Sequence, residues 1–91
     1  IDLGTILAIA SSFNNQPIPS DTVVLGEVGL GGEVRSVPRL ESRLKEAINM
    51  GFKRCILSVN NLKGVNKKLQ EKINLQGISR VEEMIHILIQ K

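Results

Sequence analysis

Apolar positions at helical spacing open the chain. Leu3, Ile6, Leu7, Ala10 and Phe13 recur every three or four residues, which predicts a helix over residues 2–13 with Asp2 near its start. The run Asn14-Asn15-Gln16-Pro17-Ile18-Pro19-Ser20-Asp21 breaks that period and predicts a loop. Thr22-Val23-Val24-Leu25 is dominated by β-branched residues and reads as a strand. A second short strand is expected around Glu33-Val34-Arg35-Ser36-Val37, beyond Gly29-Leu30-Gly31-Gly32. These two strands predict a hairpin, because glycine reaches the positive φ that tight turns require.

Pro38 stands where a helix can begin, since its missing N–H is not needed in a first turn. Leu40, Leu44, Ala47 and Ile48 form the apolar stripe of that second helix, and Gly51 is suited to end it. Cys55-Ile56-Leu57-Ser58-Val59 is nearly continuous in apolar residues, as in a strand covered on both faces. Asn60-Asn61 and Gly64 predict a loop, residues 65–72 a short basic helix, and residues 73–78 a weaker strand interrupted by Gly77. Ser79-Arg80-Val81-Glu82 matches a capping box ahead of a last helix whose stripe is Val81, Met84, Ile85 and Leu88. Strands alternating with helices imply crossover connections, so the expected class is α/β (α+β) with its later strands parallel.

Ninety-one residues suit one domain with a modest core. No apolar run approaches the ~20 residues that span a bilayer. Residues 1–13 lack the basic start and small-residue cleavage site of a signal peptide. The single cysteine rules out an internal disulfide framework and suits a reducing cytoplasm. The chain opens on Ile1 and enters an apolar periodic segment at once, which reads as a domain truncated at its N-terminal side. Charge is uneven. Residues 1–34 hold four acids (Asp2, Asp21, Glu27, Glu33) and no Lys or Arg, whereas residues 35–91 hold twelve bases against five acids, a balance of +7. That split suggests a basic face able to meet phosphate, although lysines and arginines also solvate the outer faces of helices.

Other chemistries are poorly supplied. One His and one Cys do not make a metal site, and His86 falls among apolar residues of the last helix. Cys55 reads as a small core residue. Gly29-Leu30-Gly31-Gly32 is followed by a strand and by no G-x-x-x-x-G-K-[ST], so no nucleotide is expected here. Two aromatics, Phe13 and Phe52, supply little for base stacking. Any nucleic-acid contact must therefore be mainly to phosphates and low in sequence specificity. The candidate contacts are Arg35, Arg39 and Arg43, with Lys63, Lys67 and Lys68 as a second cluster. Arg39 and Arg43 are one turn apart, and a guanidinium fork matches phosphate oxygens. Glu41 with Lys45, and Arg43 with Glu46, are alternatively plain surface pairs.

The run from Ser20-Asp21-Thr22-Val23-Val24-Leu25-Gly26-Glu27-Val28-Gly29 through Leu30-Gly31-Gly32-Glu33-Val34-Arg35 resembles the signature of the Lon-protease-like domain. Its continuation, Arg39-Leu40-Glu41-Ser42-Arg43-Leu44-Lys45-Glu46-Ala47 with Gly51-Phe52-Lys53, is similar to the C-terminal domain of the bacterial RadA (Sms) family of DNA repair ATPases. Asp2-Leu3, Ala8-Ile9-Ala10-Ser11-Ser12 and Asn60-Asn61-Leu62 agree with the same family. The resemblance implies a ribosomal-protein-S5-domain-2-like fold of which this chain is the later part. It implies a parent with a zinc motif and a RecA-like ATPase core using ATP and magnesium. That parent would assemble as a hexameric ring around DNA and drive branch migration alongside RecA recombinase. None of the zinc or ATPase motifs lies within residues 1–91, so no cofactor is expected in this chain.

The same resemblance tests for proteolysis. Lon enzymes pair a serine just before the first helix with a lysine in the first turn of the second, a nucleophile and its base. Here the lysine position holds Glu41, and the serine position falls ahead of Ile1. Lys45 is one turn further on, and Ser11 and Ser12 are about three turns down the first helix, at 3.6 residues per turn. The expectation is a non-proteolytic binding and assembly module, with DNA and further copies of itself as partners and no membrane. The alternatives are a fragment of a genuine Ser-Lys protease domain and a protein-interaction module whose basic face meets acidic partners.

Overall fold

A computed structural model describes residues 1–89. Its centre is a three-stranded parallel sheet in the order β1 (Thr22–Leu25), β4 (Arg54–Ser58), β5 (Asn74–Ile78). A two-stranded antiparallel ribbon, β2 (Glu27–Val28) with β3 (Val34–Arg35), stands beside it. The helices are α1 (Leu3–Phe13), α2 (Leu40–Asn49), α3 (Val59–Leu62), α4 (Lys67–Lys72) and α5 (Val81–Leu88). The mixed α/β class and the parallel later strands agree with the sequence pattern.

Alternation along β4 divides the core in two. Ile56 points into a cluster with Leu3 and Leu7 of α1, Ile78 of β5, and Met84, Leu88 and Ile89. Cys55 and Leu57 point the other way, to Leu44 and Ala47 of α2, Leu69 of α4 and Ile73. The sheet is thus covered by α1 and α5 on one face and by α2 and α4 on the other. All of Cys55, Ile56 and Leu57 are fully buried. That two-sided burial, about 1.5–3 kcal/mol for each large side chain, explains why the strand reads as a continuous apolar run.

Local chemistry sets the boundaries. Asp2 caps α1, its carboxylate accepting from the N–H groups of Gly4 at 2.7 Å and Thr5 at 3.2 Å. Ser58 caps α3 by accepting from Asn60 N–H at 3.1 Å, and Asn66 caps α4 by accepting from Leu69 N–H at 3.0 Å.

Five local expectations are corrected. β1 does not pair with the segment after the glycines; it pairs in parallel with β4, and the hairpin is β2–β3, because Gly26 lets the chain leave one sheet for the other. A Cβ on Gly26 would lie 2.9 Å from Val34 Cγ1 and 3.3 Å from Leu3 Cδ2, so only glycine fits that crossing without displacement. Asn60-Asn61 lies within α3, since the Ser58 cap outweighs the low helical preference of asparagine. Helix α2 starts at Leu40 behind a left-handed Arg39 (φ 56°), which leaves Pro38 in the preceding turn. Helix α4 begins at Lys67, where Asn66 supplies the cap. The α5 box is shifted by one residue: Glu83, not Glu82, accepts from Ser79 and Arg80 N–H, each at 2.8 Å. Arg80 offers no acceptor in return, so only the acidic half of the box is present.

Candidate functional site

The N-terminal half of α2 is held from below by α3. The Asn61 side-chain amide accepts from Val37 N–H at 2.7 Å and donates to Val37 C=O at 3.1 Å, which fixes the approach to the helix. Glu41 then falls in the first turn of α2. Its carboxylate accepts from Asn66 Nδ2 at 3.0 Å and meets Lys45 Nζ at 3.8 Å. One asparagine therefore caps α4 and ties it to Glu41. A recess of about 220 Å³ opens beside these groups between α2 and α4, edged by Glu41, Asn60, Asn61 and Asn66 over Leu44 and Leu69. An acceptor already engaged by an amide and a lysine is not arranged as a base for a serine hydroxyl. Ser11, on α1, donates to Gln16 C=O, and Ser42 donates to Arg39 C=O at 3.5 Å.

The lone cysteine and the lone histidine lie elsewhere. Burial pushes the Cys55 thiol up to about 12, which leaves it protonated and inert at neutral pH. His86 borders an open apolar groove between α1 and α5 with Ile6, Val81, Ile85 and Ile89. Among the described residues no three His, Cys, Asp or Glu side chains converge as a metal site. No helix among them is long and apolar enough to cross a membrane.

The structure distributes the candidate phosphate contacts over different faces. Arg35, on β3, donates through Nη2 to Glu33 at 2.7 Å and through Nε at 3.2 Å. That hydrogen-bonded guanidinium, helped by main-chain donors, holds the Glu33 carboxyl below its ordinary value. Arg39 is the left-handed residue at the start of α2, and Arg43 Nε donates to Pro38 C=O at 3.0 Å. Lys63 follows α3, while Lys67 and Lys68 open α4. At about 100° per residue, Arg43 occupies the flank of α2 away from Glu41 and Lys45, which border α4. Arg43 and the α4 side of the helix are therefore on opposite flanks. Arg39 stands ahead of the helix in its left-handed conformation, so the expected shared helical face of Arg39 and Arg43 is not formed by helical spacing.

Three basic residues outside the candidate set are prominent. Arg80 donates to Gly31 C=O at 2.7 Å and pairs with Glu82 at 3.3 Å, pinning the glycine turn to the start of α5. Lys45 and Lys72 line one groove between α2 and α4. Nothing in the linear sequence joins residues 27 positions apart on different helices; only the packing of α4 on α2 does.

Residues 2–91 match the family described as the Lon protease (S16) C-terminal proteolytic domain. The chain belongs to the Lon C-terminal domain family. Among its curated relatives, this Lon-type domain is 43% identical over 88 residues to the DNA repair protein RadA of Chlamydia pneumoniae, covering 97% of this chain and 19% of that protein. It is 45% identical over 85 residues to the RadA of Bacillus subtilis, covering 93% of the chain and 18% of the relative. With the RadA of Escherichia coli K12 it shares 40% identity over 86 residues, 94% of the chain and 18% of the relative. The chain thus spans about a fifth of the length of these DNA repair proteins.

Proposed function

We propose that this Lon-type domain is a non-proteolytic part of a RadA-type DNA repair and recombination ATPase, binding DNA through its phosphates and helping subunits assemble into a ring. The observation that carries the reading is Glu41: the position where a Lon protease needs a lysine holds a carboxylate already bonded to Asn66 and Lys45. The similarity to DNA repair proteins across nearly the whole chain supplies the biological setting. The +7 balance of residues 35–91 and the shortage of aromatics favour contact with backbone phosphates over bases. Arg35, Arg39, Arg43, Lys63, Lys67 and Lys68 are the proposed contacts. ATP, magnesium and zinc belong, on this reading, to other parts of a cytoplasmic parent. Branch migration with RecA recombinase is likewise an activity of the whole assembly.

Fluorescence anisotropy with oligonucleotides of unrelated sequence tests the DNA reading. The expected result is similar affinity for each, falling linearly on a log–log scale as salt rises, and weaker binding by an Arg39→Ala/Arg43→Ala variant. Affinity that ignores salt, or depends on sequence, refutes it. Incubation with casein is expected to give no cleavage. Cleavage lost on Glu41→Ala or with a serine-directed inhibitor would overturn the non-proteolytic reading.

A further inference from the structure

We propose that the groove between α2 and α4, lined by Lys45 and Lys72, seats a phosphate of a nucleic-acid backbone; this rests on the DNA reading above and moves its centre away from Arg39 and Arg43. The groove encloses about 220 Å³ and is lined by Lys45, Ile48, Asn49, Leu69 and Lys72. Two lysines and an asparagine thus contribute to the wall of one recess, and no acidic residue does. Glu41 meets Lys45 from one turn back, at 3.8 Å, in an exposed pair of the kind that water weakens most. Glu46 and Glu71 lie on the same helices but outside the lining.

The floor explains why the lysines stay together. Leu69 is buried and Ile48 packs against the same cluster as Leu44, Ala47 and Leu57, so the two helices are fixed by the core rather than by their charges. Packing therefore holds the two lysines on the wall of one recess, where an anion would meet a base from each helix. Lysine suits this role as a compact point charge with three donors. Lys68 lies one turn before Lys72 on α4 and extends the row along the helix. The arginines of the hairpin and of α2 are engaged within the chain: Arg35 binds Glu33, and Arg43 binds Pro38 C=O. Phosphate must displace those contacts, at 2.7 Å and 3.0 Å, to reach them, whereas at the groove it competes only with the longer 3.8 Å pair between Lys45 and Glu41.

The experiment compares the 91-residue chain with Lys45→Ala/Lys72→Ala, Lys45→Arg/Lys72→Arg and Arg39→Ala/Arg43→Ala, each first shown by amide NMR to keep a dispersed spectrum. Anisotropy with a single-stranded oligonucleotide is measured across a salt series. The lysine-to-alanine pair is expected to lose about tenfold in affinity and to flatten the log–log salt slope by about 1–2. That loss should exceed the loss from the arginine pair, and the arginine replacements at 45 and 72 should recover most of it. Pyrophosphate added to the wild-type chain should shift the amides of Ile48, Asn49 and Lys72. DNA binding that survives the lysine-to-alanine change, or suffers more from the Arg39/Arg43 change, overturns the groove and leaves the DNA reading standing. No DNA binding at all, with the pyrophosphate shifts intact, removes the DNA reading and keeps the groove as a phosphate site. Loss of both signals defeats both. Polyglutamate competing as well as DNA of equal charge would make the partner an acidic protein and overturn the nucleic-acid assignment.

Discussion

The two faces of the sheet are covered by helices of opposite character. On one face α2 and α4 are amphipathic: Leu44, Ala47 and Leu69 go inward, and Glu41, Lys45, Lys68 and Lys72 stay in water. On the other, α1 is apolar nearly all round, with only Thr5, Ser11 and Ser12 as polar side chains. Leu3 and Leu7 are buried, yet Ile9 is 60% exposed and Phe13 90% exposed. A helix of that composition is normally buried on every side. The contrast assigns different work to the two faces. The α2–α4 face is finished and charged, which fits a solvent-facing phosphate site, whereas the α1–α5 face carries uncovered apolar surface, which is the physical basis for the proposed self-association. The hairpin, by contrast, has partners along both edges: Val28 N–H donates to Ile1 C=O at 2.8 Å, and Val34 N–H to Ser79 C=O at 2.8 Å. Its tip is held by Arg80 as well, although the Leu30 side chain projects fully into solvent.

The strongest way to break this comparison is to open the core beneath each face separately. Ile56→Ala under α1 and α5, and Leu57→Ala under α2 and α4, should each cost about 2–5 kcal/mol in urea unfolding, because both side chains are fully buried. A loss below about 1 kcal/mol at either residue would show that its face hardly contributes to the fold. Gly77→Ala probes the sheet edge under α3. An added Cβ would lie 2.9 Å from Leu62 Cδ2, 3.0 Å from Val59 Cγ1 and 3.3 Å from Val59 Cα. Overpacking of about 1–3 kcal/mol is expected, with Ala tolerated only if α3 lifts.

Smaller effects sharpen the contrast. Asn66→Ala removes the α4 cap and the bond to Glu41 together, and should destabilise by about 1 kcal/mol. Phe13→Ser should change stability by less than about 0.5 kcal/mol while lowering self-association in sedimentation velocity. The Lys45/Lys72 changes on the opposite face should leave self-association as it was. The smallest expected effect is electrostatic. The Glu33 carboxyl is depressed chiefly by its hydrogen bond from Arg35, so Arg35→Ala should raise its midpoint toward the ordinary value in an NMR titration. For a depressed carboxyl the stabilisation is present above the unfolded value and disappears as pH falls through the folded one, so only the acid limb of a pH–stability curve should respond. An unshifted midpoint would mean that the Arg35–Glu33 pair does not persist in solution.

Much of the architecture was legible in the order of residues, because local patterns have local causes. The helical stripes named from the sequence bury Leu3 and Leu7, Leu44 and Ala47, and Met84 and Leu88, but Phe13, named with the first stripe, is 90% exposed. The β4 run announced two-sided burial because both of its faces must be apolar. The resemblance that sets Glu41 at the Lon lysine position was likewise read from the order of residues alone. Partnership between distant segments was not legible. Thr22–Leu25 is compatible with a hairpin or with a parallel neighbour, and the choice came from Gly26, where only a hydrogen-sized side chain fits against Val34 and Leu3. The candidate interface divides in the same way. Twelve bases and their bias toward residues 35–91 are properties of the sequence. Which of them share a groove is a property of packing: a two-residue step around α2 puts Arg43 and Lys45 on opposite flanks, while the packing of Leu69 in one cluster with Leu44 and Ile48 sets Lys72 and Lys45 along the same recess. Helical periodicity and charge are written residue by residue, but a shared groove exists only once the core has set one helix against another.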